Sequence, residues 1–247
     1  MKINTYLDEL GLEPRTYKIP TITPLFQKWN FDKILEHITK NSVSNIADIG
    51  AKNGALTIYI RQNLPESCQT YFTLVDQSNT MLIAAGRNLS ERGLDAKLRP
   101  SSPTWIRTID DQSFDYIISN NAFHHESNKD ELYAEMFRLL APHGKLIYSD
   151  FYDIPDKEFA AERGKIWTAD REFSQRYKDS ADKAWHTIPK ALRKNHPFEY
   201  HLTFEQVRER LNEAGFDVNK TEIIPSPMYF AIVCAEKPNN NNNNSKN

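Results

Sequence analysis

Residues 44–59, SNIADIGAKNGALTIY, form the stretch that decides the fold of this chain. Residues 45–48 have the composition of a short buried strand, residues 50–54 form a turn with a glycine at each end, and an apolar helix begins near Ala55. A strand that leads through a tight turn into a helix directs the free N–H groups of the helix beyond the strand's carboxyl end. Gly50 and Gly54 allow close approaches that a Cβ atom would block. Asp48 is placed to tie the turn's amides or to accept from a bound ligand.

The spacing of the glycines separates two classes of nucleotide-binding turn. A dinucleotide fold requires G-x-G-x-x-G, whereas this chain has D-x-G-x-x-x-G, with Asp48 two residues before Gly50. The next apolar strand, residues 71–76, ends in a second acid, Asp76. A carboxylate there suits a ribose, because it can accept hydrogen bonds from two neighbouring hydroxyls. The glycine spacing makes a nicotinamide oxidoreductase the least favoured hypothesis.

The turn and its two acids resemble the class I S-adenosylmethionine-dependent methyltransferases, whose first motif is usually [D/E]-x-G-x-G-x-G. The chain keeps the acid of this motif, Asp48, and its first and last glycines, Gly50 and Gly54, but Lys52 replaces the middle glycine. The resemblance implies that the cofactor is S-adenosylmethionine, with its methionine part at the turn, its ribose on Asp76 and its adenine beside Gln77. Lys52 would either contact the cofactor's carboxylate or point into solvent. The cofactor-binding positions implied in this way are Asp48, Gly50, Ala51, Gly54, Asp76, Gln77, Ser101, Ser102, Asn120 and Asn121.

The later segments carry the resemblance further. Residues 96–98 are a third strand, after which Ser101, Ser102 or a backbone carbonyl takes the place of the acid that many members use for the adenine. Residues 113–120 are a fourth strand, and residues 128–140 a helix with a capping box at its start. A break at residues 141–144 leads into a fifth strand, residues 145–150. This run looks like the second half of a small-molecule methyltransferase.

Two adjacent histidines follow the fourth strand in the segment NAFHH, residues 121–125. The resemblance implies that Asn120 and Asn121 face the methionine part and the transferring methyl group. It also implies that the acceptor arrives at His124 and His125. Imidazole titrates near neutral pH, so either side chain could take a proton from an acceptor hydroxyl or ammonium. The alternative is that one of them packs against or caps the following helix.

The resemblance implies an α/β fold with a doubly wound, Rossmann-like sheet of seven mostly parallel strands. A carboxyl-terminal antiparallel hairpin of edge strands, residues 217–224 and 228–235, would complete it. Residues 1–40 are predicted as an N-terminal helical cap, with an amphipathic helix at 24–40 in which Asn30 marks a candidate break. Residues 41–152 and 201–237 form the predicted methyltransferase core, 153–200 a helical insertion over the sheet, and 238–247 a disordered asparagine-rich tail.

Composition limits the acceptor. The chain has 247 residues, 39% of them hydrophobic, and a net charge of −2, so it shows no broad basic surface for nucleic acid. The proline-containing motif of base amino methylation is absent after the fourth strand, and Cys68 and Cys234 lie far from the position that cytosine methylation needs. The two cysteines form no metal-ligand cluster. No apolar run reaches membrane-spanning length and the N-terminus lacks a signal-peptide core, so a cytoplasmic location is expected.

The leading hypothesis is methyl transfer from S-adenosylmethionine to a small-molecule acceptor, on oxygen or nitrogen, by in-line displacement. One alternative is a tRNA-modification enzyme on the same scaffold. Another is a module that binds S-adenosylmethionine without transferring its methyl group, which Lys52 and the missing third-strand acid favour.

Overall fold

The computed structural model describes residues 23–39, 43–100, 108–152, 201–225 and 230–239, and every structural statement below concerns these ranges. Ser101, Ser102, the predicted insertion at 153–200 and most of the predicted tail lie outside them. In chain order the elements are α1 (Thr23–Glu36), β1 (Ser44–Ile49), α2 (Ala55–Asn63), β2 (Thr70–Asp76), α3 (Asn79–Ser90), β3 (Lys97–Pro100), β4 (Phe114–Asn120), a 3-10 helix (Phe123–His125), α4 (Lys129–Leu139), β5 (Leu140–Phe151), α5 (Phe204–Glu213), a second 3-10 helix (Val218–Lys220), β6 (Glu222–Pro225) and β7 (Phe230–Glu236).

Seven strands form one sheet in the order β3-β2-β1-β4-β5-β7-β6. Strands β1 to β5 run parallel to one another, and β7 is antiparallel to both of its neighbours. The chain proceeds outward from β1 through β2 to β3 and then crosses back to place β4 on the other side of β1. In doubly wound sheets a ligand crevice opens at the carboxyl ends of the strands where the order reverses. Here those strands are β1 and β4, which confirms the predicted fold class.

Helices cover both faces of the sheet. On one face α1, α2 and α3 contribute Ile34, Ile60 and Leu82 to a cluster of buried apolar side chains. On the other face α4 and α5 contribute Met136 and Leu211 to a second cluster. The central strands are apolar on both sides because helices cover both of their faces. This rigid three-layer core fixes the positions of the strand ends.

Two local predictions were wrong. Helix α1 continues through Asn30 without a break, because the Asn30 side chain is buried and donates to Asn120 of β4 at 3.3 Å. Residues 141–144 belong to β5 rather than to a separate turn. Leu140 already pairs with Phe114, and the register then shifts before the pairing resumes between Lys145 and Tyr116.

The C-terminal hairpin differs from its prediction in one respect. It was expected to supply two edge strands, but only β6 lies at an edge of the sheet. Strand β7 lies between β5 and β6, and six of its seven residues are buried. Its side chains enter the apolar clusters on both faces of the sheet, and strands border it on both edges, so water is excluded from it.

Candidate active site

The turn after β1 depends on two glycines in the left-handed conformation. Gly50 and Gly54 have φ of 71° and 78°, and a Cβ atom on Gly50 would collide with Ala122 of the loop after β4. A Cβ atom on Gly54 would lie 3.2 Å from that of Ala85. The N–H groups of Gly50 and Ala51 donate to the carbonyl of Val75 at 2.8 and 3.1 Å. The turn is therefore held between β2 and the β4 loop at close range.

Asp48 lies buried in β1 immediately before the turn. The Thr57 hydroxyl of helix α2 donates to its carboxylate at 2.7 Å. Burial raises the pKa of Asp48 to about 7; the hydrogen bond from Thr57 opposes this, and the charge of Asp76 adds to it. Asp48 thus ties the strand to the start of α2, and it stands close enough to Asp76 for the two charges to interact.

Asp76 ends β2 at the rim of the same turn, and two main-chain donors fix its carboxylate. The N–H of Lys52 donates to one oxygen and the N–H of Ser78 to the other, both at 2.8 Å. A carboxylate has about four acceptor sites, so both oxygens keep capacity for further donors. Gln77, the next residue, is exposed.

Lys52 turns back across the turn. The residue as a whole is exposed, yet its ammonium group donates to the main-chain carbonyl of Asn121 at 2.8 Å. Loss of water around the ammonium lowers the pKa of Lys52, while the nearby carboxylates of Asp150, Asp76 and Asp48 oppose the shift. The Lys52 ammonium is therefore bound by the loop after β4, and its predicted contact with the cofactor's carboxylate stays a prediction.

The carboxyl end of β4 presents two asparagines to this crevice. The side-chain oxygen of Asn120 accepts from Asn30 of α1, and the N–H of Asn121 donates to Ser149 of β5 at 2.8 Å. The side-chain oxygens of Asn30 and Asn121 are buried and have no hydrogen-bond partner among the described residues. A buried acceptor without a donor is costly, so both oxygens are suited to donors of a ligand.

The histidine pair is fixed by the end of β5. His124 Nδ1 lies 2.5 Å from Asp150, and the His124 N–H donates to the other carboxylate oxygen at 2.8 Å; both side chains are 5% exposed. Burial would raise the pKa of Asp150, but the charge and hydrogen bonds of His124, with the N–H of Phe151, outweigh it and lower the pKa. His125 is exposed, and its ring centroid lies 3.9 Å from that of His124.

A further buried polar group supports the loop that carries the histidines. The Lys129 ammonium donates to the carbonyls of Phe123 and Glu126, both at 2.5 Å, and so closes the 3-10 helix. Lys129 also lines a cavity of about 10 Å³, roughly the space that one water needs, together with Tyr133 and Tyr148, whose hydroxyls are hydrogen-bonded to each other at 2.7 Å. The position of the loop that carries the histidines is thus fixed by the buried side chain of Lys129.

The structure brings most of the predicted site residues to the carboxyl ends of the parallel strands. The carboxyl ends of β1, β2 and β4, with the turns and loops that follow them, place there Asp48, Gly50, Ala51, Gly54, Asp76, Gln77, Asn120, Asn121, His124 and His125. Sequence reasoning missed Asp150 and Asn30. Asp150 follows the same rule as Asp76, a polar residue near the carboxyl end of a parallel strand, and that signal could have identified it. Asn30 carries no comparable signal.

The described residues contain no helix with the length and apolarity to cross a membrane. Within the same ranges, no group of three or more histidine, cysteine or acidic side chains is arranged to hold a metal ion.

Comparisons with known proteins agree with this geometry. The chain has the fold of a SAM-dependent methyltransferase from Aquifex aeolicus, with 16% identity, a TM-score of 0.59 and coverage of 96% of this chain and 99% of that one. A putative sarcosine dimethylglycine methyltransferase from Galdieria sulphuraria gives 12% identity, a TM-score of 0.60 and coverage of 95% and 97%. The CurJ carbon methyltransferase gives 16% identity, a TM-score of 0.58 and coverage of 85%; the chain spans 54% of that structure. No curated protein matches the sequence significantly.

The site fits the cofactor of these enzymes. Asp76 retains acceptor sites for a ribose, and the buried oxygens of Asn30 and Asn121 can accept from a ligand. The profile of the methyltransferase domain family matches residues 27–218, most of the chain. The chain therefore belongs to the methyltransferase domain family, which confirms the resemblance to the S-adenosylmethionine-dependent methyltransferases and, with it, the enzyme class and its cofactor.

Proposed function

We propose that this protein transfers the methyl group of S-adenosylmethionine to the oxygen or nitrogen of a small-molecule acceptor. The observation that carries the proposal is the carboxylate of Asp76. Two main-chain N–H groups hold it at the rim of the glycine turn, with acceptor sites left over. The net charge of −2 and the absence of base-methylation motifs favour a small molecule over nucleic acid.

The protein's contribution is chiefly to bind and orient two reactants. When bound, the cofactor supplies a methyl group on a sulfonium, already activated for in-line displacement. Asp76 would hold the ribose and Gln77 would lie beside the adenine, while Gly50, Ala51 and Gly54 would shape the pocket for the methionine part. Asn120 and Asn121 would face that part and the methyl group. Holding both reactants in line supplies much of the rate enhancement of such a reaction.

The two histidines have different roles in this proposal. His125 is exposed beside the strand ends, so it is the ring that would take a proton from the acceptor. His124 is buried and bound to Asp150, and it positions His125 through the contact between the two rings. His124 therefore acts through its neighbour.

Replacement of Asp76 tests the cofactor assignment. We expect Asp76→Ala to weaken S-adenosylmethionine binding by about 1–3 kcal/mol, the scale of hydrogen bonds to a charged group. Isothermal titration calorimetry would measure the change, with Asp95→Ala as the control, since Asp95 is an exposed loop residue. Equal affinity of Asp76→Ala and the unmodified protein would contradict the assignment.

A module that binds S-adenosylmethionine without transferring its methyl group is the alternative that Lys52 raises in the sequence, and the family match favours the enzyme over it. The two functions differ in turnover. Release of S-adenosylhomocysteine with a panel of small alcohols, phenols and amines supports the enzyme, whereas tight cofactor binding without release supports the module. Release that requires tRNA would instead identify a tRNA-modification enzyme.

A further inference from the structure

The ammonium group of Lys52 joins two strand ends. It connects the turn after β1 to the carbonyl of Asn121 after β4, at 2.8 Å, while the N–H of Lys52 binds Asp76. Lys52 and Asn121 both have positive φ, 52° and 54°. Residues other than glycine rarely adopt this conformation, and such residues cluster at functional sites. The backbone conformations of Lys52 and Asn121 therefore accompany the contact between them across the crevice.

The surroundings of this ammonium consist of acceptors. The carboxylates of Asp48, Asp76 and Asp150 lie near enough to stabilise its charge. The residue whose carbonyl binds this ammonium, Asn121, also has a buried side-chain oxygen without a partner among the described residues. A crevice with this lining attracts cations, and in this structure Lys52 provides one.

S-adenosylmethionine brings two cationic groups, a sulfonium and an α-ammonium, together with one carboxylate. Its demethylated product, S-adenosylhomocysteine, keeps the α-ammonium and the carboxylate but has a neutral thioether. A resident lysine therefore affects both nucleosides by occupying an acceptor, and it affects the sulfonium form additionally by charge repulsion.

We propose that Lys52 is an internal competitor of the cofactor, because its ammonium occupies the main-chain carbonyl of Asn121 and places a positive charge in the crevice that a bound nucleoside's cationic groups would enter. This inference rests on the proposed function. Lys52 lowers the affinity for S-adenosylmethionine more than that for S-adenosylhomocysteine, so it shifts the site toward the product. The usual glycine of the family's motif has no side chain that could do this.

Dissociation constants for both nucleosides test the inference. Isothermal titration calorimetry at one fixed ionic strength would compare the unmodified protein with Lys52→Met, which keeps the length of the side chain and removes its charge. We expect Lys52→Met to bind S-adenosylmethionine about tenfold more tightly, the scale of one charge-assisted hydrogen bond, and to tighten S-adenosylhomocysteine less. Lys97→Met, on the exposed side chain of Lys97 in β3, is the matched control and should change neither constant.

Two further variants separate charge from folding. Lys52→Arg keeps the charge and should preserve the ratio of the two dissociation constants. Lys52→Gly removes the charge and relieves the positive φ, so it should fold at least as well as the unmodified protein and show the same tightening as Lys52→Met. Thermal melting curves confirm that each variant is folded.

The outcomes distinguish this inference from the function on which it rests. If the unmodified protein binds both nucleosides and the neutral variants leave their ratio unchanged, the inference fails alone. Weaker S-adenosylmethionine binding by both neutral variants also overturns it, because Lys52 would then contact the cofactor's carboxylate. If neither the unmodified protein nor any variant binds either nucleoside, the proposed function fails and the inference fails with it.

Discussion

At the scale of single residues, the site is defined by acids close to the carboxyl ends of parallel strands. Asp76 is fixed by main-chain donors, and Asp150 is fixed by His124 and by the N–H of Phe151. Asp48 is different, because the main donor to its carboxylate is one side chain, the Thr57 hydroxyl. For Asp48, burial disfavours the ionised form more than hydrogen bonding favours it, so its pKa rises to about 7. For Asp150 the balance is reversed, so its pKa falls.

The raised pKa of Asp48 makes stability depend on pH. A carboxyl with a folded-state pKa of about 7 and an ordinary unfolded pKa near 3.9 binds more protons when folded between these values, so stability falls as the pH rises through this window. An asparagine side chain at this position cannot ionise, yet its oxygen can still accept from Thr57.

We therefore expect Asp48→Asn to gain about 2–3 kcal/mol relative to the unmodified protein between pH 5 and pH 8. Urea unfolding at both pH values measures the change, and Asp95→Asn serves as the exposed control. A difference in stability that is equal at both pH values would contradict the buried, raised-pKa assignment.

The proposed division of labour between the histidines predicts distinct kinetic effects. With an accepted substrate, His125→Gln should lower kcat about 10²-fold or more and remove one limb of the pH–rate profile. His124→Gln and Asp150→Asn should lower kcat less and leave the profile's shape in place, because His125 remains. His143→Gln is the control, since His143 lies at the start of β5, away from the site. A His125→Gln enzyme of normal activity and pH profile would refute a base at this position.

At the scale of elements, the sequence predicted what is local and missed what joins distant segments. The glycine turn, the strand ends and the capping of α4 by the Asn128 side chain, which accepts from the Glu131 N–H, follow from neighbouring residues, and the structure contains them. The contact of Asn30 with Asn120 joins residues far apart in the chain, and so does that of His124 with Asp150. Such pairs depend on how elements pack, which no local pattern of residues specifies.

The end of helix α4 is another long-range feature. The Lys237 side chain, from the residue after β7, donates to the carbonyls of Phe137 and Leu140 at 2.7 and 2.8 Å and lies over the Phe137 ring. These carbonyls belong to the last turn of α4 and to Leu140, the residue that follows it, where partners within the helix are lacking. Lys237 thus supplies the missing donors at the start of β5, at the opposite end of this strand from the site.

We expect Lys237→Met to lower the free energy of unfolding by about 1–3 kcal/mol, because it leaves buried carbonyls without a donor. Chemical denaturation measures the loss, and S-adenosylmethionine affinity should not change. Lys220→Met is the control, since Lys220 forms an exposed ion pair with Glu236 and such pairs contribute little. Equal stability of Lys237→Met and the unmodified protein would show that the cap is not needed.

At the scale of the whole molecule, the sheet joins strands that lie far apart in the sequence. Strand β5 pairs with β4 on one side and, from Lys145 to Phe151, with β7 on the other. All of these β7 partners except Glu236 are buried. The second half of the sheet therefore depends on a segment near the carboxyl terminus.

A chain that ends at Pro225 should consequently fail to fold. Without β7, strand β5 presents unpaired backbone groups and apolar side chains, a combination that promotes aggregation. We expect this variant to be insoluble or to unfold without cooperativity, as measured by sedimentation and circular dichroism. A chain that ends at Asn239 is the control and should behave as the full-length protein does. A monomeric, cooperatively unfolding chain that ends at Pro225 would contradict the prediction.

The same pairing sets a timetable for synthesis on the ribosome. Strand β5 is complete at Phe151, but its antiparallel neighbour starts only at Phe230, about 80 residues later, or roughly 4–16 s at ordinary translation speeds. During that interval β5 of the nascent polypeptide has an unpaired backbone edge and exposed apolar side chains. Holdase chaperones bind such segments, and adjacent nascent polypeptides on a crowded polysome can pair with them. Slow codons between the two strands would lengthen this exposure, so the yield of native enzyme depends on how quickly those last codons are read.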